Sequence, residues 1–142
     1  MQLLDVNVLV YAFRKDLPQH RQLSSWLGEV VNGDAAFGVP DAVLSGFLRI
    51  VTHPRVFAVP TAMDEALDFV DRLRESPAFV PFQPGPRHWN IFAALCRNAD
   101  VRGNLVPDAY LAAMAIEAGC EWITMDRDYC RFPALRWRSP LS

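Results

Sequence analysis

Hydrophobic residues along this chain follow two periods. Short unbroken apolar runs, which suit strands buried on both faces, are separated by stretches where apolar residues recur every three or four positions, which suits helices against a core. Residues 1–4 read as a first buried strand, with Asn7 as the cap of a helix over residues 8–13. Pro18 opens a second helical stretch in which Leu23, Trp26, Leu27, Val30 and Val31 share a face until Asn32-Gly33 stops it. Residues 35–39 form a second strand. Pro40 and Asp41 then begin a helix carrying Val43, Leu44, Phe47, Leu48 and Val51, ended by Thr52-His53-Pro54. An amphipathic helix over residues 61–74 follows, with Thr61 at its cap and Ala66, Leu67, Phe69, Val70 and Leu73 on its apolar face. Residues 79–82 read as a third strand, 87–96 as a helix and 98–104 as a loop. Pro107 near the start and Gly119 past the end mark a helix over residues 105–118, which leads into strands at 121–125 and around 135–137.

Strands alternating with helices predict an α/β fold, a three-layer α/β/α sandwich around a central parallel sheet. No repeat, low-complexity tract or Gly/Ser linker divides the chain. Its 142 residues, 51% of them hydrophobic, match one domain over residues 1–142. No apolar run is long enough for a membrane span, and Asp5 and Asn7 interrupt what a secretory leader needs, so a soluble, cytoplasmic protein is expected. Cys96, Cys120 and Cys130 are odd in number and form no Cys-x-x-Cys pair, which argues against a disulfide framework or a zinc site.

Two of the apolar runs end in carboxylates, Leu3-Leu4-Asp5 and Trp122-Ile123-Thr124-Met125-Asp126-Arg127-Asp128. Parallel sheets place their chemistry just past the carboxyl ends of the strands, where the strand order reverses. Asp108, in the first turn of its helix, can face the same crevice. Carboxylates gathered without a matching Lys or Arg repel one another, and a hard divalent cation resolves that repulsion. Oxygen donors without a His or Cys set select Mg²⁺ or Mn²⁺, which can activate water for attack on phosphorus. The net charge of −2 turns positive once these four acids are set aside. Lys15 is the single lysine, and the arginine excess suits phosphate contacts, although GC-rich coding gives the same bias. A Gly-x-Ser-x-Gly elbow, a Walker loop and a Gly-x-Gly-x-x-Gly turn are all absent. A receiver domain would need an acidic pair after the first strand and a late lysine. A haloacid-dehalogenase-type phosphatase would need Asp at position 7, where Asn7 stands.

Four segments taken together resemble a PIN domain, and more narrowly the VapC toxins of bacterial toxin–antitoxin pairs. They are Leu4-Asp5-Val6-Asn7, the run from Leu48 to Phe57 with Thr52-His53-Pro54-Arg55, Asp108-Ala109-Tyr110-Leu111-Ala112-Ala113, and Thr124-Met125-Asp126-Arg127-Asp128-Tyr129. The closing run from Arg131 to Trp137 extends the likeness over nearly the whole chain. The resemblance implies a toxic Mg²⁺- or Mn²⁺-dependent endoribonuclease, restrained by a cognate VapB-type antitoxin and usually a homodimer. It implies Asp5, Asp108 and Asp126 as catalytic, metal-binding acids, Asp128 as a further metal ligand, and Asn7 and Thr124 as supports behind them. One departure stands out: many PIN domains carry Glu at the position of Gly46. Asp41, five residues earlier, points about 140° away around a helix. The alternative is therefore a catalytically weakened PIN scaffold that binds RNA or a protein without efficient cleavage. The two apolar faces, Trp26, Leu27 and Val30 and Leu67, Phe69, Val70 and Leu73, also predict a groove for an apolar antitoxin segment.

Overall fold

In the computed structural model, which describes residues 1–142, the strands are β1 (Gln2–Leu4), β2 (Phe37–Pro40), β3 (Phe79–Phe82), β4 (Glu121–Ile123) and β5 (Trp137–Arg138). They form one parallel sheet in the order β3-β2-β1-β4-β5. The helices are α1 (Val6–Phe13), α2 (His20–Val31), α3 (Asp41–Val51), α4 (Met63–Glu75), α5 (His88–Asn98) and α6 (Leu105–Ala118). Right-handed crossovers put α1 to α4, which connect β1 to β2 and β2 to β3, on one face. The return from β3 to β4 carries α5 and α6 to the other. The layers are α/β/α, as the alternation predicts. No helix is long and apolar enough to cross a membrane.

The central strands are buried, with Leu3, Leu4, Phe37, Val39, Trp122 and Ile123 all within 1% of full burial. At about 1.5–3 kcal/mol per buried large apolar side chain, these strands anchor the fold. Gly38 is needed where β2 passes between its neighbours: a Cβ there would sit 2.6 Å from Leu3 Cδ2 and 3.0 Å from Phe82 Cδ2. Gly119, at φ 65°, takes the left-handed conformation that closes α6.

Three expectations change. Helix α1 starts earlier than predicted, because Asp5 is its cap: its Oδ1 accepts the Val6 N–H at 2.7 Å. Thr61 does not cap α4; its hydroxyl instead accepts from Arg14. Arg14 also holds Asp16 through two nitrogens, donates to the Val59 carbonyl and lies 3.9 Å over the Phe57 ring. The segment after α3 is thereby strapped to the end of α1, which gives its Thr-His-Pro-Arg-Val-Phe run a structural part.

The third correction concerns the proposed groove. Leu27, Val70 and Leu73 are buried in the main core. Phe69 stacks on Phe47 at 5.0 Å and meets Phe13 at 5.0 Å. Most of these side chains cover the sheet, although Leu67 is 39% exposed and Trp26 and Val30 are half-buried beside a depression of about 400 Å³ next to Met1 and Gln2; between α2 and α4 only a depression of about 250 Å³ remains. The sequence period reports burial and is silent about what does the burying.

Candidate active site

The carboxyl ends of β1 and β4 sit side by side, in register from Gln2 opposite Glu121 to Leu4 opposite Ile123. Connections leave β1 toward β2 and β4 toward β5, so the strand order reverses between them, and a crevice opens at that point. Asp5 follows β1, and Asp126 follows β4. Asp108 comes from the first turn of α6. All three line one cleft of about 760 Å³, together with Val6 and Asn7 of α1, Ser45, Gly46 and Arg49 of α3, and Phe92 of α5.

A hydrogen-bond network holds this end of the sheet in place. Asp5 Oδ2 accepts the Thr124 hydroxyl at 2.7 Å and the Asn7 amide at 3.3 Å. Thr124 Oγ1 in turn accepts the Asp126 N–H at 3.0 Å, and Asn7 Oδ1 accepts the Met125 N–H at 3.0 Å. Asn7 and Thr124 therefore tie the start of α1 to the loop after β4. Of the 34 buried residues only Asp5, His88 and Thr124 are polar or charged, and two of those three belong to this network. His88 belongs elsewhere, its Nε2–H donating to the Tyr110 carbonyl 2.9 Å away.

Burial pushes the Asp5 carboxyl up to about 6; its hydrogen bonds pull the other way, and the charges of Asp108 and Asp126 add to the rise. Asp108 is raised too, by burial and then by Asp126. Asp5 has no Lys or Arg partner within ion-pair distance, nor have Asp108 and Asp126, since the chain's ion pairs all lie elsewhere. Asp128 stands apart at the rim, exposed, and contributes its backbone N–H to Asp126 Oδ1 at 2.9 Å. Asp41 is not in the cleft; it pairs loosely with Arg74 and Gln83. Gly46 does line the cleft, so the missing acid is missing at the site itself.

The profile of the PIN domain family matches residues 3–135. The chain belongs to the PIN domain family. A VapC ribonuclease of Mycobacterium bovis is 46% identical to it over 99% of this chain and 96% of its own length. Ribonuclease VapC25 of Mycobacterium tuberculosis is 41% identical, covering 99% of both chains. Among solved structures, VapBC-1 from nontypeable Haemophilus influenzae superposes with a TM-score of 0.70 at 12% identity, covering 99% of this chain and 98% of that one. VapBC2 from Rickettsia felis, bound to a promoter DNA fragment, gives 0.68 at 16% identity, covering 97% of each chain. At those identities the structures show a shared fold.

One member of this PIN domain's site escaped the sequence reading. Tyr129 is 1% exposed, and its hydroxyl donates to Asp108 Oδ1 at 3.4 Å. Burial and the charges of Asp5, Asp108 and Asp126 hold its phenol far above the ordinary range, so it stays a donor. Its 3₁₀ turn, Arg127–Arg131, is too short to show a hydrophobic period; only its place two residues after Asp126-Arg127 hinted at a role.

Proposed function

We propose that this chain is the toxin of a VapBC-type pair, an endoribonuclease that depends on a divalent cation and is restrained by a VapB-type antitoxin. The observation that carries the reading is the convergence of three carboxylates without a cationic partner on one cleft, two of them held above their ordinary range. Natural relatives named as ribonucleases cover the same length of chain, which agrees with that reading.

The donor set suits a hard cation. Asp5, Asp108 and Asp126 offer only oxygen, and Asp108 Oδ2 and Asp126 Oδ2 accept no hydrogen bond from the protein. No three His, Cys, Asp or Glu side chains stand close enough together in this structure to hold an ion as they are, so binding would draw the acids inward. Mg²⁺ or Mn²⁺ would be held by these three, with Asp128 assisting from the rim, and would supply an activated water for in-line attack on phosphorus. The protein's own part is orientation. Thr124 and Asn7 fix Asp5, the Asp128 N–H fixes one oxygen of Asp126, and Tyr129 holds one oxygen of Asp108.

Gly46 in the cleft wall supports the second reading, a PIN scaffold that binds RNA without efficient cleavage. One experiment separates the two. Purified protein is incubated with total RNA and Mn²⁺, with and without EDTA, and the ends of any fragments are mapped. The ribonuclease reading predicts EDTA-sensitive cleavage that leaves 5′-phosphates. A 2′,3′-cyclic phosphate would implicate the ribose hydroxyl and contradict it. RNA that is retained but uncut under every divalent metal would favour the scaffold.

A further inference from the structure

Arg49 is an arginine without a partner in a cleft lined by carboxylates. It shares that space with Asp5, Asp108 and Asp126. Yet the chain's four ion pairs are Arg14 with Asp16, Arg74 with Asp41, Arg102 with Asp100 and Arg138 with Glu121. Arg49 is exposed at the cleft edge and forms an ion pair with none of the acids there.

Helix α3 presents Ala42, Ser45, Gly46 and Arg49 to the cleft, the three- and four-residue spacing of one helical face. Three small residues leave room, and a guanidinium follows about 4.5 Å further along the axis than Gly46. The acids come from other elements: Asp5 follows β1, Asp108 lies in the first turn of α6 and Asp126 follows β4. A ribose-phosphate strand entering such a cleft is repelled by them and needs a cation to hold it. The planar guanidinium fork suits a phosphate, with two parallel N–H donors for two oxygens.

Gly46 has a part in this. A glutamate at that position would stand one turn before Arg49 on the same face, where opposite charges three residues apart pair. With glycine there, the guanidinium has no neighbour on its own helix to claim it. We infer that Arg49 binds a backbone phosphate of the RNA, and that the α3 wall of this cleft serves the substrate, while the acids serve the metal. The inference rests on the ribonuclease reading.

The test measures binding of a short, random-sequence, fluorescently labelled single-stranded RNA by anisotropy in EDTA, so that nothing is cut, across a series of NaCl concentrations. Wild type, Arg49→Lys and Arg49→Ala are compared, and each is separately titrated with Mn²⁺ by calorimetry. Arg49→Ala should weaken RNA binding about tenfold, the value of a charge-assisted contact, and flatten the log–log salt slope by about 0.7. Arg49→Lys should keep the slope and lose part of the affinity. Mn²⁺ affinity should not fall in either variant, since removing a positive charge cannot weaken cation binding by charge alone. If Arg49→Ala binds RNA with wild-type affinity and slope while wild type still cuts RNA in Mn²⁺, the Arg49 assignment is wrong and the ribonuclease reading survives. Loss of Mn²⁺ affinity with unchanged RNA binding would mean that Arg49 orders the acids rather than the RNA, and would overturn it equally. A wild-type protein that neither binds nor cuts RNA would bring down both.

Discussion

Gly46 and Phe47 are neighbours on α3 and belong to opposite regimes. Phe47 is fully buried, stacked on Phe69 and edge-on to Phe13 at 5.4 Å. Its side of the helix is apolar and serves stability. Gly46 faces the cleft, where like charges share one space and buried Asp5 resists ionisation. Helix α1 shows the same division, with Asp5 as its cap at one end and Phe13 in the aromatic cluster at the other. The same two helices thus carry both jobs. Packing on one side holds in place an arrangement on the other that is unfavourable until something positive binds.

If that division is right, the largest effect comes from the packed side. Phe47→Ala should cost about 3–5 kcal/mol of stability through lost burial and a cavity, read by urea unfolding. A loss under about 1 kcal/mol would mean that the aromatic cluster is not the anchor.

The next effect, about 3 kcal/mol, comes from the charged side and depends on pH. Asp5 has a carboxyl near 6 in the folded chain against an ordinary 3.8, so the native state keeps its proton to higher pH than the unfolded state. The contribution of Asp5 to metal-free stability is therefore fully present below about pH 4 and is lost as pH rises through 6, at roughly 1.4 kcal/mol for each pH step of one between those two values. Asp108 moves in the same direction. Unfolding in EDTA across this window should show the decline in wild type and a shallower one in Asp5→Asn. Equal slopes would remove Asp5 as the cause.

The smallest effect is expected one residue from the largest. Gly46→Ala gains helix propensity of about 1 kcal/mol, while the new Cβ meets Val6 Cγ2 at 3.2 Å, a side chain that borders open cleft. The net change should stay within about 1 kcal/mol. A cost like that of Phe47→Ala would show that the cleft wall is packed after all.

The sequence showed most of the fold because punctuation and period agree over most elements. Helix α6 was bounded correctly by Pro107 and Gly119, and α3 by Pro40-Asp41 and Thr52. Two of its misreadings share a cause, which is competition for polar groups. Asn7 looked like a helix cap, but its amide is spent on Asp5, Thr124 and Met125 across the sheet. Thr61 looked like another, and Arg14 claims it. Apart from Asn7 with its near neighbour Asp5, such contacts span 47 to 118 residues, beyond the reach of local spacing. Asp5, Asp108 and Asp126 were legible as a group because strand ends and a helix start are local features, and topology alone brings them together. Tyr129 and Arg49 were not, since one depends on a short 3₁₀ turn and the other on having no partner.

The central claim is that these acids repel until a divalent cation joins them. It is tested most directly by calorimetric titration of Mn²⁺ into metal-free wild type and Asp5→Asn near neutral pH. The account predicts saturable binding to wild type, and at least about a tenfold loss in the variant, whose fold stays intact. Equal affinity in the two proteins, or no binding to wild type, would contradict it.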